Sequence, residues 1–142
     1  MKKIIAGISM ALLTVVLALT LAGCSKAGSI QKAYEDAGYT VSSHAASEDE
    51  LKDKGFSDED AKDASSYAIY VVYDKATGKI PVATYIKYPS ADKIKDLMTT
   101  TKDDGSKDTS AYDEAVESGL INGDCVYIGV PTGDVFNIFK NA

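Results

Sequence analysis

The sequence predicts an α+β domain of the ferredoxin-like, or split βαβ, type, with an antiparallel sheet and covering helices, following an N-terminal signal helix. Residues 67–73 and 80–88 are rich in Tyr, Val and Ile, and a turn-forming stretch between them indicates a hairpin. Apolar residues recur at helical spacing on both sides of this hairpin. Single strands predicted before and after it complete a strand-helix-strand-strand-helix-strand order.

The segment before the hairpin contains one strand and several helix signals. Ile30, Tyr34 and their helical neighbours predict a helix over residues 29–37, with Gly38 as its C-terminal cap. Residues 39–43 alternate as a short strand. Ser47-Glu48-Asp49-Glu50 is a capping box that opens a second helix, and residues 57–60 repeat the pattern.

The hairpin is expected to fold with Asp74 opposite Lys79. The face that carries Ile69 and Ile86 is then the expected core face. The reverse face carries Tyr70 and Tyr85 and is also apolar. Helices from the two ends of the domain could cover this reverse face; alternatively, the two tyrosines form an exposed binding patch, since tyrosine suits interfaces.

Further elements are predicted after the hairpin. Residues 99–109 are polar and predict a loop. Ala111 to Val116 suggest a helix closed by Gly119, although residues 116–121 could instead pair as a strand across the Asn122-Gly123 turn. The remaining predicted elements are a helix at 90–98, a strand at 124–130 and a helix at 132–140.

The N-terminus has the layout of a signal peptide. Lys2 and Lys3 precede an uncharged, mainly apolar run over residues 4–21. This run is long enough to span a hydrocarbon core of roughly 30 Å, so an uncleaved transmembrane helix is one alternative to a cleaved and anchored leader. Ordinary secretion is the other.

Leu21-Ala22-Gly23-Cys24, at the end of this run, resembles the lipobox of bacterial lipoproteins. The resemblance implies that Cys24 receives a diacylglyceryl group and that residues 1–23 are removed as a signal peptide. Residues 24–28 would then be a short tether, and residues 29–142 a single domain. Two acyl chains hold a protein stably at a bilayer surface, which predicts a lipid-anchored protein on the extracytoplasmic face of the cell membrane.

The net charge of the chain limits the classes of partner that it is expected to bind. The chain has 15 basic residues, all lysine, and 21 acidic ones; removal of Lys2 and Lys3 with the leader changes the net charge from −6 to −8. This balance argues against nucleic acid, which needs clustered cations. The expected partners are membrane lipid, through the acyl anchor, and an envelope protein or other surface component.

The candidates for chemistry are few. Cys125 is the only thiol left once Cys24 is lipidated and is expected to be a buried strand residue. His44 is the only histidine and is expected in an exposed loop, so no metal or catalytic set is predicted. The eight carboxylates between Glu48 and Asp63 fit no EF-hand frame and are expected to be a solvated helical face, with a weak cation site as the alternative.

The sequence therefore favours a noncatalytic binding domain without a cofactor other than the covalent lipid. A cell-envelope hydrolase that uses an acidic pair is the alternative. The domain is also similar to small, uncharacterised surface lipoproteins of Gram-positive bacteria, through Gly38-Tyr39, Tyr70 to Tyr73 and Asn122-Gly123. That resemblance implies no catalytic residues.

Overall fold

The computed structural model describes residues 26–142. The predicted signal peptide, the Leu21-Ala22-Gly23-Cys24 motif and Ser25 lie outside the described residues. Within residues 26–142, no helix has both the length and the apolar composition needed to cross a membrane.

The described chain contains six α-helices, one short 3-10 helix and seven strands. The helices are α1 (Lys26–Asp36), α2 (Glu48–Asp53), α3 (Asp58–Ala61), a short 3-10 helix (Ala64–Ser66), α4 (Ala91–Met98), α5 (Ser110–Ser118) and α6 (Gly133–Asn141). The strands are β1 (Thr40–Ala45), β2 (Ala68–Tyr73), β3 (Pro81–Lys87), β4 (Thr100–Thr101), β5 (Lys107–Asp108), β6 (Ile121–Asn122) and β7 (Cys125–Ile128). Most predicted elements are thus present, and the capping box at Ser47 opens α2 as expected.

Five strands form one antiparallel sheet in the order β1-β2-β3-β7-β6. The α+β class and the antiparallel sheet are therefore confirmed. The ferredoxin-like arrangement is not confirmed, because a split βαβ unit places another strand between the two strands that its helix joins, and those two strands are parallel. Here β1 and β2, which the helices join, are direct antiparallel neighbours.

The sheet is buried on both faces. Tyr70 and Tyr85 lie on the face covered by α1 and α6, and Ile69 and Ile86 lie on the face covered by α2, α3, α4 and α5. The expected core face of Ile69 and Ile86 is buried, and of the two alternatives for the reverse face of the hairpin, coverage by the terminal helices is the one that the structure shows. Burial on both faces explains why β2 contains no polar side chain.

The hairpin register differs from the predicted one because β3 contains a bulge. Val72 pairs with Ala83 and Tyr73 with Pro81, which leaves Val82 without a partner in β2. The predicted pairing of Asp74 with Lys79 is also displaced, since the Asp74 N–H donates to the Ile80 carbonyl at 2.8 Å. The bulge shifts the register by one residue, and the pairing of Asp74 with Ile80 shifts it by one more. Because the total shift is an even number of residues, the side chains on the far side of the bulge from the turn lie on their predicted faces.

The structure shows how two segments fold that the sequence pattern left ambiguous or predicted only as a loop. Val116 belongs to α5, which ends at Gly119 with φ +88°, whereas Ile121 belongs to β6, so residues 116–121 contain both a helix end and a strand. The predicted loop at 99–109 contains the short β4–β5 ladder. The first described helix, α1, begins at Lys26, three residues before the predicted start at residue 29, and Ala27 is fully buried.

Two buried tyrosine hydroxyls, one with a hydrogen-bond partner and one without, allow a matched test of how the terminal helices are joined. The Tyr34 hydroxyl donates to the Val135 carbonyl at 2.6 Å and joins α1 to α6, whereas the buried Tyr70 hydroxyl has no hydrogen-bond partner within residues 26–142. Tyr34→Phe is expected to lower the free energy of unfolding by about 1 kcal/mol. Tyr70→Phe is expected to leave it unchanged or raise it, because no bond is lost.

Urea denaturation of the two variants and the wild type measures both effects. Equal losses in both variants would show that the Tyr34 hydroxyl does not join the two terminal helices.

Candidate binding surfaces

The predicted patch of Tyr70 and Tyr85 is buried. Both residues have 0 % exposure, and their rings stack with centroids 4.7 Å apart and planes 7° from parallel. The prediction that they form an exposed binding patch was therefore wrong. The physical reason is that α1 and α6 cover this face, with Tyr34 stacking on Tyr85 at 6.2 Å and Phe139 lying 5.7 Å from it.

The environment of these tyrosines is that of a core. Burial raises the pKa of Tyr70 to about 12, and burial is also the main cause of the raised pKa of Tyr85. The Tyr85 hydroxyl donates to the Ala27 carbonyl at 3.2 Å. The Tyr85 hydroxyl therefore bonds the sheet to α1, whereas the Tyr70 ring contributes by packing.

The exposed apolar surface lies at another place in the sheet. We define the hairpin-end patch as the exposed apolar side chains at the start of β3 and the end of β7. Its members are Ile80, Val82, Ile128 and Val130, which are 59 %, 41 %, 36 % and 72 % exposed. Because Thr84 pairs with Ile128 in antiparallel orientation, the start of β3 and the end of β7 meet at the same end of the sheet.

The turn before the patch is held by a single carboxylate. Asp74 accepts hydrogen bonds from the backbone N–H groups of Thr77, Lys79 and Ile80 at 3.0, 3.2 and 3.1 Å. Its other donor is the Thr77 hydroxyl, at 2.7 Å. These bonds favour the charged form and lower the pKa of Asp74 to about 2. The turn therefore fixes the backbone from which Ile80 and Val82 project.

Two open grooves lie on the side of the sheet that α4 covers. The larger groove has a volume of about 490 Å³ and is lined by charged residues and threonines, namely Lys95, Asp96, Thr99, Lys107 and Thr109. The smaller, of about 250 Å³, has an apolar wall and a polar rim; its lining residues are Lys54, Gly55, Phe56, Ser57, Asp60, Tyr88, Leu97 and Met98. Neither groove contains His44 or Cys125.

The residues considered for chemistry lie apart from these grooves. His44 belongs to β1 rather than to a loop, and its Nε2 is 2.7 Å from Glu50 Oε2. This contact is the main cause of the lowered pKa of Glu50. Cys125 is fully buried, and burial raises its pKa, which leaves the thiol protonated and unreactive.

No carboxylate within residues 26–142 has a clearly raised pKa. Among residues 26–142, the acids with a clearly displaced pKa are Glu50, Asp74, Asp104 and Asp108, and each is displaced downward. In the same residues, His, Cys, Asp and Glu side chains form no group of three that could hold a metal ion. The carboxylates from Glu48 to Asp60 that open α2 and α3 interact favourably with the helix dipoles.

The hairpin-end patch was not predicted from the sequence. A hairpin with Asp74 opposite Lys79 and no bulge would place Ile80 and Val82 on the expected core face. Val130 was expected inside a longer strand, but β7 ends at Ile128. A signal was present in Pro81, since proline in a strand favours an edge or a bulge and weakens the prediction of a regular central strand.

Acid titration tests the role of Asp74. Its folded-state pKa of about 2 lies below its ordinary value of 3.8, so its contribution to stability is complete above the ordinary value and is lost as the pH falls toward 2. The free energy of unfolding of the wild type should therefore exceed that of Asp74→Asn at neutral pH, and the gap should close in acid.

Denaturation of both proteins at a series of pH values measures this gap. A gap that stays constant down to about pH 2 would contradict the assigned hydrogen bonds.

The hairpin-end patch and the two grooves beside α4 are therefore candidate binding surfaces of the described residues. Comparison of the chain with protein-family models, with curated proteins and with solved structures found no match in any of the three.

Proposed function

We propose that the chain is a lipid-anchored lipoprotein on the extracytoplasmic face of the cell membrane, held by a diacylglyceryl group on Cys24. Its domain is a noncatalytic binding module without a further cofactor. We propose that it contacts an envelope protein or another surface component through the hairpin-end patch.

The leader supports the anchor. A positive start, an uncharged apolar run and Leu21-Ala22-Gly23-Cys24 occur in the order that lipoprotein processing requires. The net charge of −8 after removal of Lys2 and Lys3 would repel anionic lipid, so the acyl chains would have to provide the attachment.

The exposure of the hairpin-end patch is the observation that carries the binding role. Val130 is 72 % exposed and Ile80 is 59 % exposed, although the faces of the same sheet are otherwise well covered by helices. Exposed apolar side chains that lie together mark interaction sites more often than scattered ones do. The turn bonded by Asp74 holds the start of this surface in place before any partner binds.

The position of α1 is consistent with both the lipid anchor and a binding role for the hairpin-end patch. Lys26 lies beside the β6–β7 turn, since a Cβ atom on Gly123 would be only 2.9 Å from Lys26 Cβ. This turn is at the opposite end of β7 from Ile128 and Val130. A chain that enters the domain from the membrane at Lys26 would therefore direct the hairpin-end patch toward the medium.

The anchor is tested with Cys24→Ala. The wild type should be found in the membrane fraction with an intact mass that lacks residues 1–23 and includes a diacylglyceryl group, whereas the variant should keep its leader and lose the lipid mass. A wild-type mass that retains residues 1–23, or a variant with unchanged mass and membrane retention, would overturn the proposal.

The binding surface is tested by site-specific photo-crosslinking in cells. A photoreactive residue in place of Val130 should give a discrete adduct, and Val82→Asp in the same chain should abolish it by placing a charge in the contact. The matched control is a photoreactive residue in place of Lys32 on α1, whose side chain is 77 % exposed but lies outside the patch. The same adduct from both positions, or none from Val130, would contradict this assignment.

A further inference from the structure

The smaller groove lies where three segments of the chain meet. It is lined by residues between α2 and α3, by Tyr88 after β3, and by Leu97 and Met98 at the end of α4. Its volume of about 250 Å³ is below the range of pockets that take drug-sized ligands, which is roughly 300–1,000 Å³. The groove therefore suits a small molecule.

The aromatic wall of the groove is well packed. The Phe56 ring lies 5.8 Å from the Tyr88 ring, and both rings pack on Tyr67, with centroid distances of 5.5 and 5.1 Å. Tyr67 is 1 % exposed, and its hydroxyl has no hydrogen-bond partner within residues 26–142. An unpaired polar group thus lies behind the wall, which is uncommon in a native core.

The electrostatic environment of the groove is negative. Residues 48–63 supply five of the residues that line it, and they contain eight carboxylates and three lysines. The end of α4 adds the negative end of a helix dipole. Burial raises the pKa of Tyr67, and the carboxylates of Asp60 and Asp63 raise it further, so this negative charge reaches the aromatic wall. The groove therefore favours a cation over an anion.

Asp60 is the charged group that can hold such a cation. Its Oδ2 accepts a hydrogen bond from the Ser57 hydroxyl at 2.7 Å, which orients the carboxylate. Within residues 26–142, Asp60 forms no ion pair. Lys54 is the one cation among the lining residues, and its exposed side chain can turn toward solvent. A positively charged ligand would thus meet an oriented carboxylate beside aromatic rings, which attract cations as well.

We propose that the smaller groove binds a small primary ammonium compound with an apolar body. The ammonium group donates to Asp60, and the apolar body lies against Phe56, Tyr88 and Leu97. Tyr88 follows the end of β3, whereas Ile80 precedes its start, so this site is separate from the hairpin-end patch. The proposal goes beyond the binding role of that patch and does not depend on it.

Titration of the purified full-length protein with phenethylammonium tests the site. Amide NMR signals of Phe56, Asp60 and Leu97 should shift and reach saturation. Phenylpropionate, which has the same ring and the opposite charge, should not shift these signals. Methylammonium, which has the charge but no ring, should bind roughly tenfold or more weakly, because it buries little apolar surface.

Three variants separate the site from the general acidity of the segment. Asp60→Asn should weaken phenethylammonium binding by at least about threefold, because it removes the charge that pairs with the ammonium group. Asp58→Asn is the matched control and should leave the affinity unchanged, since Asp58 begins the same helix but is 91 % exposed, lies outside the groove and is 3.5 Å from Lys52. Lys54→Ala should tighten binding, because it removes the cation from the rim.

Three results would each overturn the proposal: phenylpropionate that binds as tightly as phenethylammonium, equal losses in the Asp60 and Asp58 variants, or a wild type that does not approach saturation by about 10 mM phenethylammonium. The ligand-free spectrum of each variant shows whether it is folded. None of these readouts involves the lipid or the hairpin-end patch, so failure of this site and failure of the proposed function are separate results.

Discussion

The stack of aromatic rings on Tyr85 is the interaction on which the rest of the domain depends. Tyr85 in β3 lies against Tyr70 of β2, Tyr34 of α1 and Phe139 of α6, with centroid distances of 4.7, 6.2 and 5.7 Å. Side chains of this size bury roughly 150–250 Å² each. One residue thus connects the centre of the sheet to both ends of the described chain.

Much of the local structure could be predicted because it depends on neighbouring residues. The capping box at Ser47, the αL glycine after α5 and the aromatic hairpin are short-range signals, and each is present in the structure. The assignment of Tyr70 and Tyr85 to one face was also correct, because side chains alternate along a strand.

What covers each face depends on residues distant in sequence. Tyr34 and Val135 are 101 residues apart, yet their hydrogen bond closes the layer over Tyr70 and Tyr85. Strand order has the same origin: the sequence contains the strands of a split βαβ fold but does not show which strands become neighbours. The bulge at Val82 could not be predicted from hydrophobic periodicity, because a single unpaired residue leaves no periodic signal.

The early start of α1 has a consequence for the proposed lipid anchor. Cys24 is two residues from Lys26, and two extended residues reach at most about 7 Å. With a lipid on Cys24, the domain would have almost no stem, and the first turn of α1 would rest near the lipid headgroups. The domain would not tumble freely, because its orientation would be restrained. It would therefore meet other proteins only in a narrow layer above the bilayer.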